Sequence, residues 1–390
     1  MDEFKSARVV AGQGGLNRVI RWVHVVDVPA PADWVRGGEL LFVTGIGLNK
    51  DPKSLCDLIE GLVAKNVAGL VINVGPYVRV LPSEVLHLAD RLNFPILELP
   101  WEVKLVDVTE ALCKRIVAEA IRDRAVLDLV ETLINGRMIS EEIVVNRARS
   151  YGFDFTRGYL VMVVGVDKGK EHLQKQDFVG REGDYFLKTT LQRLVVDICR
   201  REGAASLVAV KDEEVIVFLG YQEPARKDIR GIADKIRERV QAEEYGSTVS
   251  VGVSKLCQGL QDAARGYTEA RRALFVCQCI FGGNTTLDYV QIGLYRVLFM
   301  VSDREELKSC FKDTLGRLAE SDPHLLETLD AYLQYNGNLQ RAAQQLFIHK
   351  NTLRYRLHRI EELTRMDLNN AHDRMTMATA LAIGKFLKLY

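Results

Sequence analysis

At 390 residues, 47% of them apolar and 27% charged, the chain is too long for one ordinary domain and has the composition of globular protein. Its 52 Lys and Arg balance 52 Asp and Glu, so the molecule as a whole has no attraction for polyanions, and any contact with nucleic acid must come from a local patch. No apolar run reaches the roughly 18 residues of a membrane span, and the opening MDEFKSARVV has no signal-peptide core; with seven scattered cysteines that suit a reducing compartment, the expectation is a cytoplasmic protein without membrane contact.

Between residues 8 and about 100, short apolar runs alternate with helical spacing. VIRWVHVVDV, ELLFVTG, AGLVINVG and FPILELP read as strands. SLCDLIEGLVAKNV, with Leu55, Leu58, Ile59 and Leu62 at helical intervals, and SEVLHLADRLN, with Ser83 as its N-cap, read as helices. That order implies βαβ units and a mainly parallel sheet. GQGGL at 12–16 precedes a strand instead of joining a strand to a helix, so it fails the context of a dinucleotide loop and reads as a turn. Open sheets of this kind bind ligands beyond the carboxyl ends of their strands. Thr44, Asn73 and Gly75 follow such strands and Arg36 sits just before the first of them, and together they are nominated as a site for a small polar ligand; the competing reading is that these residues only make turns.

From Glu102 to Arg137 the pattern is helical, with apolar Leu105, Val108, Leu112, Ile116, Ile121, Val126, Leu129 and Ile134. Such a helix is a natural connector, and its stripe either packs on its own domain or pairs with its twin in a dimer. Residues 150–282 then read as βαββαβα: GYLVMVVGVD, DYFLKTTLQRLVVDICRREG, a hairpin ASLVAVKDEEVIVFLG turning at Lys211–Glu214, DIRGIADKIRERVQAE, TVSVGVS and GLQDAARGYTEARRALFV. This order is ferredoxin-like. CQC at 277–279 lacks a second pair at zinc spacing, so no metal is expected there. An amphipathic bridge over 288–320 leads to an all-helical end.

That end punctuates itself. Asp322-Pro323 starts one helix, HLLETLDAYLQY, and Asn336-Gly337 stops it with residues that tolerate positive φ. Asn338 caps the next, whose Leu339, Ala342, Ala343 and Leu346 share a face. After the break FIH, a third helix runs from about Lys350 to Leu363. Its Leu353, Leu357 and Ile360 form a narrow stripe, so Asn351, Tyr355, His358 and Arg359 point away from the core, with Lys350, Thr352, Arg354 and Arg356 at its start or flanks. Between Asn338 and Ile360 stand five Lys and Arg and no carboxylate. Two helices crossing over alanines, the second of them cationic, describe a helix-turn-helix that neutralises phosphates and presents its N-terminal part to base edges. The bland alternative is an amphipathic helix whose charges are merely solvated.

LQRAAQQLFIHKNTLRYRLHRIEEL closely resembles the C-terminal helix-turn-helix of the PucR (purine catabolism regulator) family, found also in sugar-diacid regulators and similar to the Fis-type hairpin. Carried over residue by residue, the resemblance assigns DNA contact to His349, Lys350, Asn351, Thr352, Arg354, Tyr355 and Arg356, with Arg359 on phosphate. VVAGQGGLNRVIRWVHVVDVPAPADWVRGGELLFVTG and PILELPW resemble that family's N-terminal sensory domain, and 150–282 its middle domain, a degenerate relative of the GGDEF cyclase fold. The expected architecture is therefore multidomain α/β: an α/β sensory domain over 1–125 with a connector to about 137, a ferredoxin-like α+β domain over 140–285, a helical bridge over 286–320, and an all-α helix-turn-helix over 321–390.

A cyclase would need Gly-Gly-(Asp/Glu)-Glu-Phe at the central hairpin. Here stand Val210, Lys211, Asp212, Glu213 and Glu214, whose first two side chains obstruct the approach of backbone to phosphate. Asp167, ending the first strand of this domain, matches a metal-binding aspartate or is a turn residue. The expectation is a bacterial, non-enzymatic transcription regulator with no cofactor. Its partners would be an operator duplex, a small metabolite effector such as a purine-pathway compound, and a second copy of itself, as a homodimer or higher oligomer. The alternatives are a degenerate nucleotide cyclase, which would turn over guanosine triphosphate with magnesium, and an effector-independent nucleoid or RNA-binding protein.

Overall fold

The computed structural model describes residues 4–28, 30–47, 51–136, 140–167, 180–220, 229–242 and 247–389, and the chain divides into two compact units, Met1–Ala125 and Val126–Tyr390.

In the first unit a sheet of five strands has the order β1-β5-β4-β3-β2. The strands β2 (Trp22–Val25), β3 (Glu39–Val43), β4 (Gly69–Val74) and β5 (Ile96–Pro100) are parallel to their neighbours. The edge strand β1 (Arg8–Ala11) runs antiparallel to β5. The central strands are apolar at nearly every position because both faces are covered. Leu41, Val43, Leu70, Ile72 and Ile96 pack under α1 (Pro52–Ala64) and α2 (Ser83–Arg91). On the other face Leu40, Phe42, Val71, Leu97 and Leu99 pack under Val108 and Leu112 from the first part of α3 (Leu105–Asn135). Asp51 caps α1 by accepting from Ser54 N. Ser83 is not the cap of α2 as expected: it is the first helical residue, and the cap position belongs to Pro82, which has no side chain able to accept.

The glycine-rich stretch follows β1, a strand the apolar pattern does not reveal, and leads into a single 3-10 turn over Gln13–Gly15. Its glycines are required by contact: a Cβ on Gly15 would stand 1.9 Å from the Asn93 carbonyl oxygen, and one on Gly12 would stand 2.0 Å from that of Phe94. The loop is thus packed against the α2–β5 turn, and no helix begins there to face a phosphate.

In the second unit, after α4 (Glu141–Ser150), the strands β6 (Tyr159–Val166), β7 (Ser206–Lys211), β8 (Glu214–Gly220), β9 (Val249–Val253) and β10 (Thr286–Asp288) form a sheet ordered β10-β9-β6-β8-β7. The first four, antiparallel throughout, give the ferredoxin-like order expected, and β10 adds a parallel edge beside β9. The helices α5 (Gly180–Arg201) and α6 (Ile229–Ala242) cover one face through Leu191, Val195, Ile232 and Ile236. The other face is covered by α7 (Ala263–Cys279) and by Val126, Leu129, Val130 and Leu133 from the last part of α3.

The short α8 (Tyr295–Leu298) and the helices α9 (Arg304–Ser321), α10 (Pro323–Gln334), α11 (Leu339–Gln345), α12 (Lys350–Thr364) and α13 (Ala371–Leu387) complete this unit around one apolar cluster. Phe386 of α13 meets Phe299 at 4.8 Å and Phe275 of α7 at 5.7 Å between ring centroids, joining the helical end to the sheet layer.

Candidate DNA-binding and ligand sites

The basic helix is positioned by its caps. Asp322 accepts from His324 N with Pro323 in the first turn of α10, and α10 stops at Asn336 and Gly337, both in the left-handed region. Asn338 Oδ1 then accepts from Gln340 N and Arg341 N, opening α11. Buried Ala342 and Ala343 of α11 let α12 approach, and α12 buries Leu353, Leu357 and Ile360. The stripe read from spacing is the one the helix buries.

With that face fixed, Lys350, Asn351, Thr352, Arg354 and Tyr355 are exposed together on the first two turns, Tyr355 to 73%. Lys350 and Arg354 have no carboxylate partner among the described residues, whereas Arg359 pairs with Glu362 at 2.8 Å and Lys385 with Asp330 at 2.7 Å. Arg359 in turn holds the Glu362 carboxyl below its ordinary range. Three of the expected contacts are also engaged within the protein. Arg356 is half-buried and its Nη1 donates to Thr328 Oγ1 of α10 at 3.3 Å, which turns it to the flank. The imidazole of His349 is the N-cap of α12, its Nδ1 accepting from Asn351 N at 3.2 Å, so only its outer edge faces away. Arg359 engages Glu362 through Nη1 and remains 49% exposed. Arg341, exposed on α11 and also without a carboxylate partner among the described residues, joins the basic surface; its cationic side chain on the first helix was the available signal.

At the carboxyl edge of the first sheet, Val43 pairs with Ile72 and Asn73 with Leu99, so Thr44 and Asn73 come side by side with Gly75 beyond them. Arg36 does not join them. It precedes β3, whose five residues, about 16 Å of strand, separate it from Thr44, and with Gly37 it donates its backbone N–H to the Glu39 carboxylate. The other three are already engaged: Thr44 Oγ1 donates to Asp27 Oδ2 at 2.7 Å, and Asn73 Nδ2 donates to the Leu99 and Pro100 carbonyls. Gly75 lies against Trp101, where a Cβ would stand 2.7 Å from the Trp101 Cβ. The nominated set left out Tyr77, which follows the same strand end, and the sequence reading did not bring Asp27 or Trp101 to this rim. Tyr77 and Trp101 are 42% and 39% exposed and meet edge to face at 5.6 Å.

The hairpin at the cyclase position is tied inward. Lys211 Nζ donates to Glu131 Oε1 of α3 at 2.8 Å, and this hydrogen bond holds the ammonium above its ordinary range. Glu214 accepts from Arg271 Nε at 3.0 Å and Tyr267 OH at 3.3 Å, both on α7. Asp212 occupies the left-handed position of the two-residue turn. The Asp167 carboxylate accepts from Ser250 Oγ at 2.7 Å, Thr248 Oγ1 at 2.8 Å and Asn284 N at 2.7 Å. Among the described residues no group of three His, Cys, Asp or Glu side chains converges to hold a metal. Cys277 of the CQC stretch is buried, its thiol pushed up to about 12 by that burial.

Comparison with known proteins places three family models along the chain. The purine catabolism regulatory protein-like family matches residues 1–116, a GGDEF-like domain matches 135–276, and the PucR C-terminal helix-turn-helix domain matches 325–383. The purine catabolism regulatory protein of Bacillus subtilis is 23% identical over 98% of both chains. The transcriptional activator PmfR of Paenarthrobacter nicotinovorans is 23% identical over 94% of this chain and 92% of its own. The carbohydrate diacid regulator of Escherichia coli is 26% identical over 68% and 66%.

Proposed function

We propose that this chain, in which a PucR-type N-terminal domain, a GGDEF-like domain and a PucR-type C-terminal helix-turn-helix follow one another, is a ligand-responsive, DNA-binding transcription regulator of a purine or related nitrogen-compound catabolic pathway. The observation that carries it is the exposed start of α12, where among the described residues Lys350 and Arg354 stand without carboxylate partners in a molecule of zero net charge, while Arg359 and Lys385 are paired. Lys350 and Arg341 contact phosphate, while Asn351, Thr352, Arg354 and Tyr355 reach base edges in the major groove. His349 fixes the helix start and Arg356 braces it on α10.

The rim around Thr44, Asn73, Gly75, Tyr77 and Trp101 receives a small planar effector, with the aromatic pair supplying the stacking surface. The middle domain transmits and does not catalyse. Its hairpin lacks the glycines that admit a nucleotide phosphate, and Asp167 spends both carboxylate oxygens on Ser250, Thr248 and Asn284. Operator binding is by a homodimer or higher oligomer, because two reading helices enter successive major grooves only at a separation of about 34 Å.

The test uses the full chain and a duplex that it selects from a randomised pool. Arg354→Ala weakens binding to the selected duplex far more than to random duplex, and Lys350→Ala lowers the salt slope of binding by about one. A wild-type chain that ignores every duplex at low salt would overturn the reading.

A further inference from the structure

The turn between α11 and α12 is a Schellman motif: Ile348 N donates to the Ala343 carbonyl and Phe347 N to that of Gln344, both at 3.1 Å. The residue after the cap in this motif must be left-handed, and glycine is usual there because a Cβ is disfavoured. Phe347 occupies it at φ 53°, with its ring 96% exposed. Elsewhere the described chain fills non-glycine left-handed positions mostly with the residues that tolerate them: Asn66, Asn93, Asp212, Asn284 and Asn336. The neighbours of Phe347 behave differently, since Leu346 and Ile348 are half-buried against the helical core. A large apolar ring is thus held at a strained backbone position where it contributes nothing to folding, two residues before the cap of the reading helix. Strain of this kind persists at functional positions.

We propose that Phe347 is a DNA-contacting residue, its ring packing on an apolar part of the duplex at the edge of the groove entered by α12. This rests on the DNA-binding reading above. Two groups of a duplex offer that chemistry next to a reading helix: the thymine C5-methyl and the deoxyribose of the flanking backbone.

The experiment uses full-length Phe347→Gly and Phe347→Asn, both of which suit the left-handed backbone, on the duplex selected by the wild-type chain. Both variants melt at or above the wild-type temperature and bind that duplex about tenfold more weakly. Replacing each thymine by uracil in turn then separates the two contacts. If one position weakens wild type but not the variants, the ring sits on that methyl; if none does, it sits on sugar. Variants that bind as tightly as wild type, or that melt lower, would overturn the assignment, the first by leaving the ring to another protein surface and the second by giving it a structural role. Failure of the wild-type chain to bind DNA would instead remove the functional reading on which this one stands.

Discussion

Arg354 and Arg356 stand two positions apart on α12, about 200° around its axis, and that rotation separates their roles: one projects free, the other is drawn onto Thr328. The spacing of Leu353, Leu357 and Ile360 was enough to tell outward from inward positions along this helix. It could not tell that His349 turns back to cap the helix, because capping depends on where a side chain finds an unsatisfied N–H, and Ser, Asp and Asn are the usual occupants. This gives a separable expectation. His349→Ala removes the acceptor for Asn351 N and lowers stability by about 1 kcal/mol in chemical denaturation, while His349→Ser, which can accept the same bond, recovers most of it. Should serine lose as much as alanine, the ring contributes by packing and not by its Nδ1.

Among the elements, the long parallel strands and the amphipathic helices were legible because burial on two faces or one leaves a distinct period. The strand β1 was not. Its four residues at an antiparallel edge carry too short a pattern, and the glycine loop after it was consequently read from the wrong side. The helix α3 was legible as a helix but not in its allegiance: Val108 and Leu112 serve one core and Val126 to Ile134 another, while Val117 and Ile121 between them are exposed. A single apolar period runs through all three parts. Element packing also sets a sharp constraint at Gly252 of β9, where a Cβ would stand 2.1 Å from the Ala270 carbonyl oxygen and 2.3 Å from Leu274 N. Both are backbone atoms of α7, so no side-chain rotation relieves the clash. Gly252→Ala therefore costs about 1–3 kcal/mol or more by forcing α7 off the sheet, visible as a lower melting temperature; an unchanged melt would mean the helix can slide freely.

Across the whole molecule, charge balance hides the basic helix, and composition alone would have dismissed nucleic acid. The helix-turn-helix is not a tethered appendage: its last helix meets α7 through Phe275, Phe299 and Phe386, with Arg304 4.6 Å above the Phe386 ring. Phe275 of α7 and the buried Leu353, Leu357 and Ile360 of α12 belong to one apolar cluster, and α7 also holds the hairpin at Glu214. The rim of the first sheet was half legible, since strand ends follow from topology, but the aromatic pair depends on how the chain beyond β4 folds over toward β5.

All three tryptophans of the chain, Trp22, Trp34 and Trp101, belong to the first unit, at 56%, 66% and 39% exposure. Selectively excited indole emission therefore comes only from the first unit, while the unit that carries the helix-turn-helix stays dark. Titrating a purine-pathway metabolite should quench or blue-shift that emission through Trp101, and Trp101→Phe should erase most of the change. A metabolite that raises the melting temperature yet leaves the glow untouched would have found its seat away from this rim.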